Sequence, residues 1–378
     1  MVVSNHRPTR VVVDLAAIKA NVQQEVQKQQ GKRDVFAVVK ANGYGHGAVP
    51  VAKAALAGGA AGFCVATLDE GIALRENGLT APILVMGIVE VAWLPLILQY
   101  DLAIPVATNL WIEEARAFYQ EHQLTGDIAV HVTFDTGMGR IGFQTVEEVL
   151  AAMQQLDQTA GFFVEGLFTH FATADDVDFT YFERQNERFK QVINQLPYRP
   201  RYVHGSNSAA TMWHEDQGNL IRLGIGMYGY NPSGSALTNP YPLQPALSLE
   251  SALVQVKQVP AGEGIGYGKT YETTVTEWIG TVPIGYADGY VRRMQGFKVL
   301  VEGQVCEIVG RVCMDQLMVR LPKAFPVGTK VTLIGKNQGN EITLQEVADY
   351  LGTIHYEVIC LLSDRIPRDY LNSEGILT

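Results

Sequence analysis

Short apolar runs punctuate the first part of the chain, at residues 35–41, 62–67, 82–87, 102–108, 128–135, 164–171, 202–206 and 220–224. Each is bounded by glycine, proline or polar residues, as a strand buried on both faces requires. The segments between them change period. Over 109–122, Trp111, Ala115 and Phe118 fall on one helical stripe and Asn109 can cap it. Residues 179–196 form a second amphipathic helix with a charged outer face. Eight strands alternating with helices predict a (β/α)8 barrel, and a doubly wound parallel sheet is the competing architecture.

The pattern changes at 239–245, Asn-Pro-Tyr-Pro-Leu-Gln-Pro, whose three prolines stop a helix and read as a linker. Alternating runs follow at 247–259, 274–283, 298–301, 304–309, 316–321 and 330–335, and only 344–350 reads as helical. The expected class is therefore α/β: a barrel over 1–240 and a mostly-β domain over 241–378. The first residues, up to about 10, are able to pack on that second domain. Residues 81–98 are the one membrane-like stretch, but Pro82, Glu90 and Pro95 interrupt it, so a strand followed by a helix is expected.

Composition narrows the function classes. A 378-residue chain with 47% hydrophobic content can bury two cores. Its net charge of -10 argues against a nucleic-acid partner, and its N-terminus lacks the apolar core of a signal peptide. Cys64, Cys306, Cys313 and Cys360 have neither metal-ligand nor disulfide spacing, which suits a reducing compartment, the cytoplasm. No membrane or metal partner is expected.

In a barrel, functional groups gather at the C-terminal strand ends, and the notable polar residues fall there. Lys40 ends the first run, in front of the glycine-rich turn Ala41-Asn42-Gly43-Tyr44-Gly45-His46-Gly47. A buried ammonium is costly unless used, and desolvation readies a lysine for Schiff-base chemistry. Asp135 and Arg140 follow the fifth run and His170 the sixth. His204, Asn207 and Ser208 follow the seventh, and Arg222, Gly224 and Ile225 close the eighth. A Ser208 hydroxyl with backbone N–H groups at Gly224-Ile225 suits a phosphate. Arg222 in an apolar strand needs a partner, because guanidinium stays charged. Phosphate site, fixed cation and strand-end lysine together describe a pyridoxal phosphate pocket. Taken singly, each has a plainer reading: Lys40 snorkelling, Gly224 an ordinary turn, His170 a core histidine.

The motifs Ala37-Val38-Val39-Lys40-Ala41-Asn42-Gly43-Tyr44-Gly45-His46-Gly47, Asp135-Thr136-Gly137-Met138-Gly139-Arg140, His204-Gly205-Ser206-Asn207-Ser208 and Arg222-Leu223-Gly224-Ile225 lie in the first domain. The second has Gly266-Tyr267-Gly268-Lys269, Gly285-Tyr286-Ala287-Asp288, Arg311-Val312-Cys313-Met314-Asp315 and Tyr356-Glu357-Val358. With these motifs the chain resembles the alanine racemases over essentially its whole length. The resemblance implies that Lys40 binds pyridoxal 5'-phosphate, with Tyr44, Ser208, Gly224, Ile225 and Tyr356 around the phosphate. It places Arg222 at the pyridine nitrogen, Arg140 near the phenolic oxygen, and His170 and Asn207 around the ring. An arginine in that place leaves the nitrogen unprotonated, which favours returning the proton over transamination.

Inverting an α-carbon needs acid/base groups on both faces, and the resemblance names Lys40 and, from the partner of a homodimer, Tyr267. The backbone N–H of Met314 and Arg140 would meet the substrate carboxylate. Tyr286, Arg292, Arg311 and Asp175 resemble residues of the substrate corridor, and Asp315 is placed with Tyr286 among the substrate-binding residues. The plainer readings are a turn aromatic for Tyr267, core filler for Cys313 and Met314, and a structural hydrogen-bonded pair for Tyr286 and Asp315. The expected activity interconverts L- and D-alanine, supplying D-alanine for peptidoglycan. A serine, lysine or broad-specificity racemase, a non-catalytic cofactor-binding barrel and a decarboxylase of the same fold are the alternatives. One position departs from the family: Thr133 stands where many relatives carry a carbamylated lysine that holds the arginine matching Arg140. A bound anion, chloride above all, or a held water is expected there.

Overall fold

The computed structural model describes residues 2–377, which divide into two units. One comprises residues 16–43 and 48–245 with 374–377. The other comprises residues 2–15, 44–47 and 246–373.

The first unit is the barrel. Its parallel strands are β2 (Asp34–Val38), β3 (Gly62–Val65), β4 (Ile83–Val85), β5 (Ile104–Val106), β6 (Ile128–Thr133), β7 (Phe162–Phe168), β8 (Tyr202–His204) and β9 (Leu220–Leu223). Pairing runs β4-β3-β2-β9 and β5-β6-β7-β8. The Leu84–Ala103 bridge closes the seam between β4 and β5. The seam between β8 and β9 is closed by Asn219 N–H donating to the Val203 carbonyl (2.8 Å) and Arg222 N–H to that of Ser206 (3.0 Å). A closed ring leaves no edge strand, which removes the doubly wound alternative. All eight expected runs form strands, each shorter than its apolar run at one or both ends or shifted by about two residues.

Intervening helices follow their local signals. Thr67 and Thr145 open Leu68–Glu76 and Val146–Asp157 as capping boxes with Glu70 and Glu148. The helix Asn109–Glu121 is capped by Thr108, whose hydroxyl accepts from Trp111 N–H, and not by Asn109 as the sequence suggested. Residues 81–98 form β4, a short 3-10 turn and the helix Leu94–Gln99, and no helix among the described residues is long and apolar enough to cross a membrane.

The second unit is built on β1 (Arg10–Asp14), β10 (Leu247–Ala252), β11 (Gln255–Val259), β12 (Gly264–Ile265), β13 (Tyr271–Glu272), β14 (Glu277–Val282), β15 (Lys298–Val301), β16 (Gln304–Ile308), β17 (Leu317–Leu321), β18 (Lys330–Asn337), β19 (Asn340–Ile342) and β20 (Arg368–Leu371). The main sheet runs β11-β14-β17-β16-β15-β18-β10-β1-β20, with β19 on β18. The N-terminal strand β1, absent from the expected runs, pairs antiparallel with β10 and parallel with β20. Val259, Ile265, Ile279 and Val309 form one of its buried clusters. Two helices lie here, not one: Leu344–Leu351 and His355–Leu361. The second is too short for its periodicity to stand out in sequence.

Candidate active site

Lys40 is half-buried at the end of β2, and the backbone after it turns the wrong way for L-residues. Ala41, Asn42, Gly43, Tyr44 and Gly45 have φ of 52, 52, 61, 50 and 77°. A left-handed conformation costs a non-glycine residue about 1–2 kcal/mol, so this turn persists only because its surroundings hold it. Gly43 N–H donates to the Val39 carbonyl (2.8 Å), and Asn42 Oδ1 accepts from Ala48 N–H (3.0 Å). Glu70 Oε1 accepts from Ala41 N–H (2.7 Å), while its Oε2 accepts from Ala66 N–H (2.7 Å) and Thr67 N–H (3.2 Å). Glu70 therefore caps a helix and clamps the lysine turn at once. Sequence reading did not single out Glu70. At Gly45 a Cβ would lie 2.3 Å from the Ile359 carbonyl oxygen, so the backbone there admits no side chain.

Arg222 is 3% exposed on β9. Its Nη1 donates to His204 Nδ1 and to the His204 carbonyl (3.3 Å). Its Nη2 faces the carbonyls of Thr169 (2.8 Å) and Gly205 (3.1 Å) and His170 Nδ1 (3.3 Å). All of these acceptors are neutral, and Nε–H has no partner among the described residues. Burial pulls the guanidinium down to about 10, still a cation at neutral pH. His170, half-buried, is lowered to about 3, first by burial and then by the charges of Arg222, Arg140 and Lys40. Since Arg222 only donates, His170 accepts at Nδ1 and carries its hydrogen on Nε2. Cys64, buried beside Arg222 and Lys40, is pushed up to about 12 by burial and is a neutral filler.

Ser208, Gly224 and Ile225, the residues expected around a phosphate on this unit, lie close together but share their donors differently from expectation. Ser208 Oγ accepts from Gly224 N–H (2.9 Å) and Gly226 N–H (3.2 Å), so the Gly224 amide is spent on the serine. The serine's own hydrogen and the Ile225 N–H remain as donors. Asn207 caps the helix Ser208–Trp213 through Oδ1 to Ala210 N–H (2.9 Å). Arg140 is exposed, and its guanidinium makes no ion pair among the described residues. Asp135 is occupied by the backbone N–H groups of Gly137 (2.9 Å), Gly139 (3.1 Å) and Arg140 (3.2 Å). The buried Thr133 hydroxyl has no hydrogen-bond partner among the described residues. Asp175, expected to line the corridor, has its carboxyl raised, chiefly by burial.

The other unit carries the remaining candidates. The rings of Tyr44 and Tyr356 lie 6.2 Å apart. Tyr267 sits at the tip of the β12–β13 hairpin, 68% exposed, between Gly266 (φ 71°) and Gly268 (φ 74°). A Cβ on Gly268 would come within 2.9 Å of Arg311 Nη1, which brings Arg311 beside this turn. The turn at Tyr286 is bonded to the Met314 loop: Tyr286 N–H donates to the Cys313 carbonyl (3.1 Å) and Ala287 N–H to that of Met314 (3.0 Å). The Met314 N–H has no partner among the described residues. Arg292 opens the next 3-10 turn, Arg292–Met294. Asp315 does not pair with Tyr286; Arg365 holds it at 2.6 Å. Arg365 and Arg7 both meet buried Asp288, an anchor that sequence reading missed.

Two family models match, the alanine racemase N-terminal domain over residues 13–232 and the C-terminal domain over 246–370. This chain belongs to the alanine racemase family. It is 56% identical to an alanine racemase of Latilactobacillus sakei, over 98% of both chains. The crystal structure of alanine racemase from E. faecalis superposes with a TM-score of 0.95 at 57% identity, covering 98% of this chain and 100% of that one. A histidine racemase from Leuconostoc mesenteroides also superposes, with a TM-score of 0.92 at 31% identity, over 98% of this chain and all of that one. The family is pyridoxal phosphate-dependent, its members are isomerases, and alanine is its substrate.

Proposed function

We propose that this chain interconverts L- and D-alanine with pyridoxal 5'-phosphate in the barrel, using Lys40 and Tyr267 of the partner subunit as opposed bases. The observation that carries the reading is the set of three cations, Lys40, Arg140 and Arg222, acting on a neutral His170. Such a cluster suits an anionic phosphate ligand with the substrate carboxylate beside it. The donors left over fit the cofactor: Ser208 hydroxyl and Ile225 N–H for a phosphate, Arg222 Nε–H for an unprotonated ring nitrogen. Tyr44 and Tyr356 add phenols to the phosphate set, and Asn207 and His170 support the ring.

When bound, the cofactor supplies an electron-withdrawing ring that makes the substrate Cα–H removable. The Lys40 amine takes or returns that proton on one face, and the Tyr267 phenol does so on the other. Tyrosine's ordinary pKa of about 10 calls for a polar setting on the reacting side. The exposure of Tyr267 and the open Met314 N–H support a homodimer in which each second unit completes the partner's barrel site. Arg140 and Met314 meet the substrate carboxylate, and Tyr286 and Asp315 stand at the entrance. D-Alanine made this way would serve peptidoglycan synthesis in the cytoplasm, where thiols such as Cys64 and Cys306 stay reduced.

The test is the change in circular dichroism when purified protein receives L-alanine, with L-serine, L-lysine and L-histidine in parallel. Turnover of alanine well above the others supports the reading; preference for another side chain replaces the substrate, and no turnover at all overturns it. An anion, chloride foremost, beside Thr133 and Arg140 belongs to the same reading. The partnerless Thr133 hydroxyl and the engagement of Asp135 with backbone support it. Crystals grown with bromide should show an anomalous peak there, and Arg140 paired directly to a carboxylate without one would sink the idea.

A further inference from the structure

Behind Arg222 runs a buried chain of polar groups that the reaction does not use. His204 Nε2 lies 2.9 Å from His131 Nδ1, and His131 Nε2 lies 3.2 Å from Glu165 Oε2. Glu165 Oε1 in turn meets Arg201, two-thirds exposed, at 3.4 Å. His131 and His204 are 1% and 0% exposed.

Two local devices build this chain. The β6–β7 register passes from Val130 opposite Val164 to His131 opposite Gly166, so Glu165 is the extra residue of a bulge. A bulge re-aims a side chain that strand alternation would send elsewhere. Gly166 then leaves room for the imidazole: a Cβ there would stand 2.3 Å from His131 Nδ1. The broken ladder and the missing side chain at Gly166, both on β7, serve the same contact.

Donor chemistry sets its direction. A guanidinium only donates and a carboxylate only accepts. His204 therefore accepts at Nδ1 and donates from Nε2, and His131 does the same towards Glu165. The other tautomer of His204 would set its Nδ1–H against an Arg222 N–H. The other tautomer of His131 would set its Nδ1–H against the His204 Nε2–H and turn a bare Nε2 to the Glu165 carboxylate. We propose that Glu165, His131 and His204 form a one-way hydrogen-bond relay that orients Arg222 and links its buried charge to a carboxylate two rings away. The three are positioning residues, and their importance to the reaction rests on the role given to Arg222 above. Burial, and then the charge of Arg222, keep His204 uncharged. Burial likewise lowers His131 against the pull of Glu165. The carboxyl of Glu165, which burial alone would push up, is held low by His131 and Arg201.

The relay is tested without cofactor by 15N NMR of histidine-labelled apoprotein, assigned with single His→Asn variants. In the wild-type chain both rings should be neutral with hydrogen on Nε2; an imidazolium or an Nδ1–H ring at either position overturns the relay. Glu165→Gln still offers an acceptor oxygen and should keep these tautomers. Glu165→Ala should leave a mixture at His131, and identical spectra for the two variants overturn the role of Glu165. In loaded enzyme Glu165→Ala should shift the bound-cofactor absorbance and lower kcat on the order of ten- to a hundredfold, as loss of an outer histidine partner commonly does. Glu165→Gln should recover most of it. If the tautomers respond as described while Arg222→Gln leaves the cofactor spectrum and kcat intact, the relay stands and the role of Arg222 at the cofactor falls. An unaltered kcat in Glu165→Ala alongside a damaging Arg222→Gln rejects the positioning role.

Discussion

A lysine and a tyrosine on different units make different demands, and single substitutions separate them. Lys40→Ala should remove both the absorbance of bound cofactor and the activity. Tyr267→Ala should keep the absorbance and lose L-alanine turnover by about 10²–10⁴-fold, the usual worth of one positioned acid/base. Normal turnover of L-alanine by Tyr267→Ala would refute the two-base assignment. The buried histidines carry a pH signature. Burial, and then the charges of Arg222, Arg140 and Lys40, lower His170 from an ordinary 6.5 to about 3, and His131 and His204 are lowered too, first by burial. The unfolded chain then binds more protons below that ordinary value, so this part of the stability is complete above it and fades as pH falls towards 3. The urea midpoint should therefore drop between about pH 7 and pH 5, and His170→Asn should flatten the slope.

At the scale of elements, the left-handed turn after Lys40 is the strained part, and the helix Leu68–Glu76 restrains it through Glu70. Glu70→Ala removes the acceptor of three N–H groups while touching none of the proposed site residues. It should loosen the lysine turn by about 1–3 kcal/mol and weaken cofactor retention, measured as release on dialysis. Glu70→Gln should behave in between, since its one amide oxygen can serve only part of the set. Equal cofactor retention in wild type and Glu70→Ala would show that the turn holds itself. The bulge at Glu165 and the hairpin tip at Tyr267 follow the same logic: irregular backbone occurs where a side chain must be aimed.

For the whole molecule, the proposed homodimer has a direct complementation test. Lys40→Ala and Tyr267→Ala proteins, each inactive alone, should regain activity when mixed and allowed to exchange subunits. A hybrid dimer with one mutant chain of each kind contains one intact site and one doubly damaged site. Fully active monomers in analytical ultracentrifugation, or no recovery on exchange, would rule the shared site out. The 31% identical histidine racemase has the same fold, so fold similarity does not set the side chain accepted. One methylene more or less in an apolar pocket changes selectivity by only about 1–3 kcal/mol.

By itself the sequence determined the eight barrel strands, the β character of the C-terminal region and the residues at the strand ends. Those are read from local period and residue chemistry, and Lys40, His170, Ser208 and Arg222 lie where such reading put them. Tertiary structure decided the rest. The strand Arg10–Asp14 has a partner only across the whole chain length, in β10 and β20. The helix His355–Leu361, which carries Tyr356, is too short to announce itself. The clamp of Glu70 on Ala41 joins segments 29 residues apart, and the Gly224 amide read as open until Ser208 took it. The bulge that turns Glu165 towards His131 is a property of register between β6 and β7, and register arises from pairing between distant segments, which no local pattern contains.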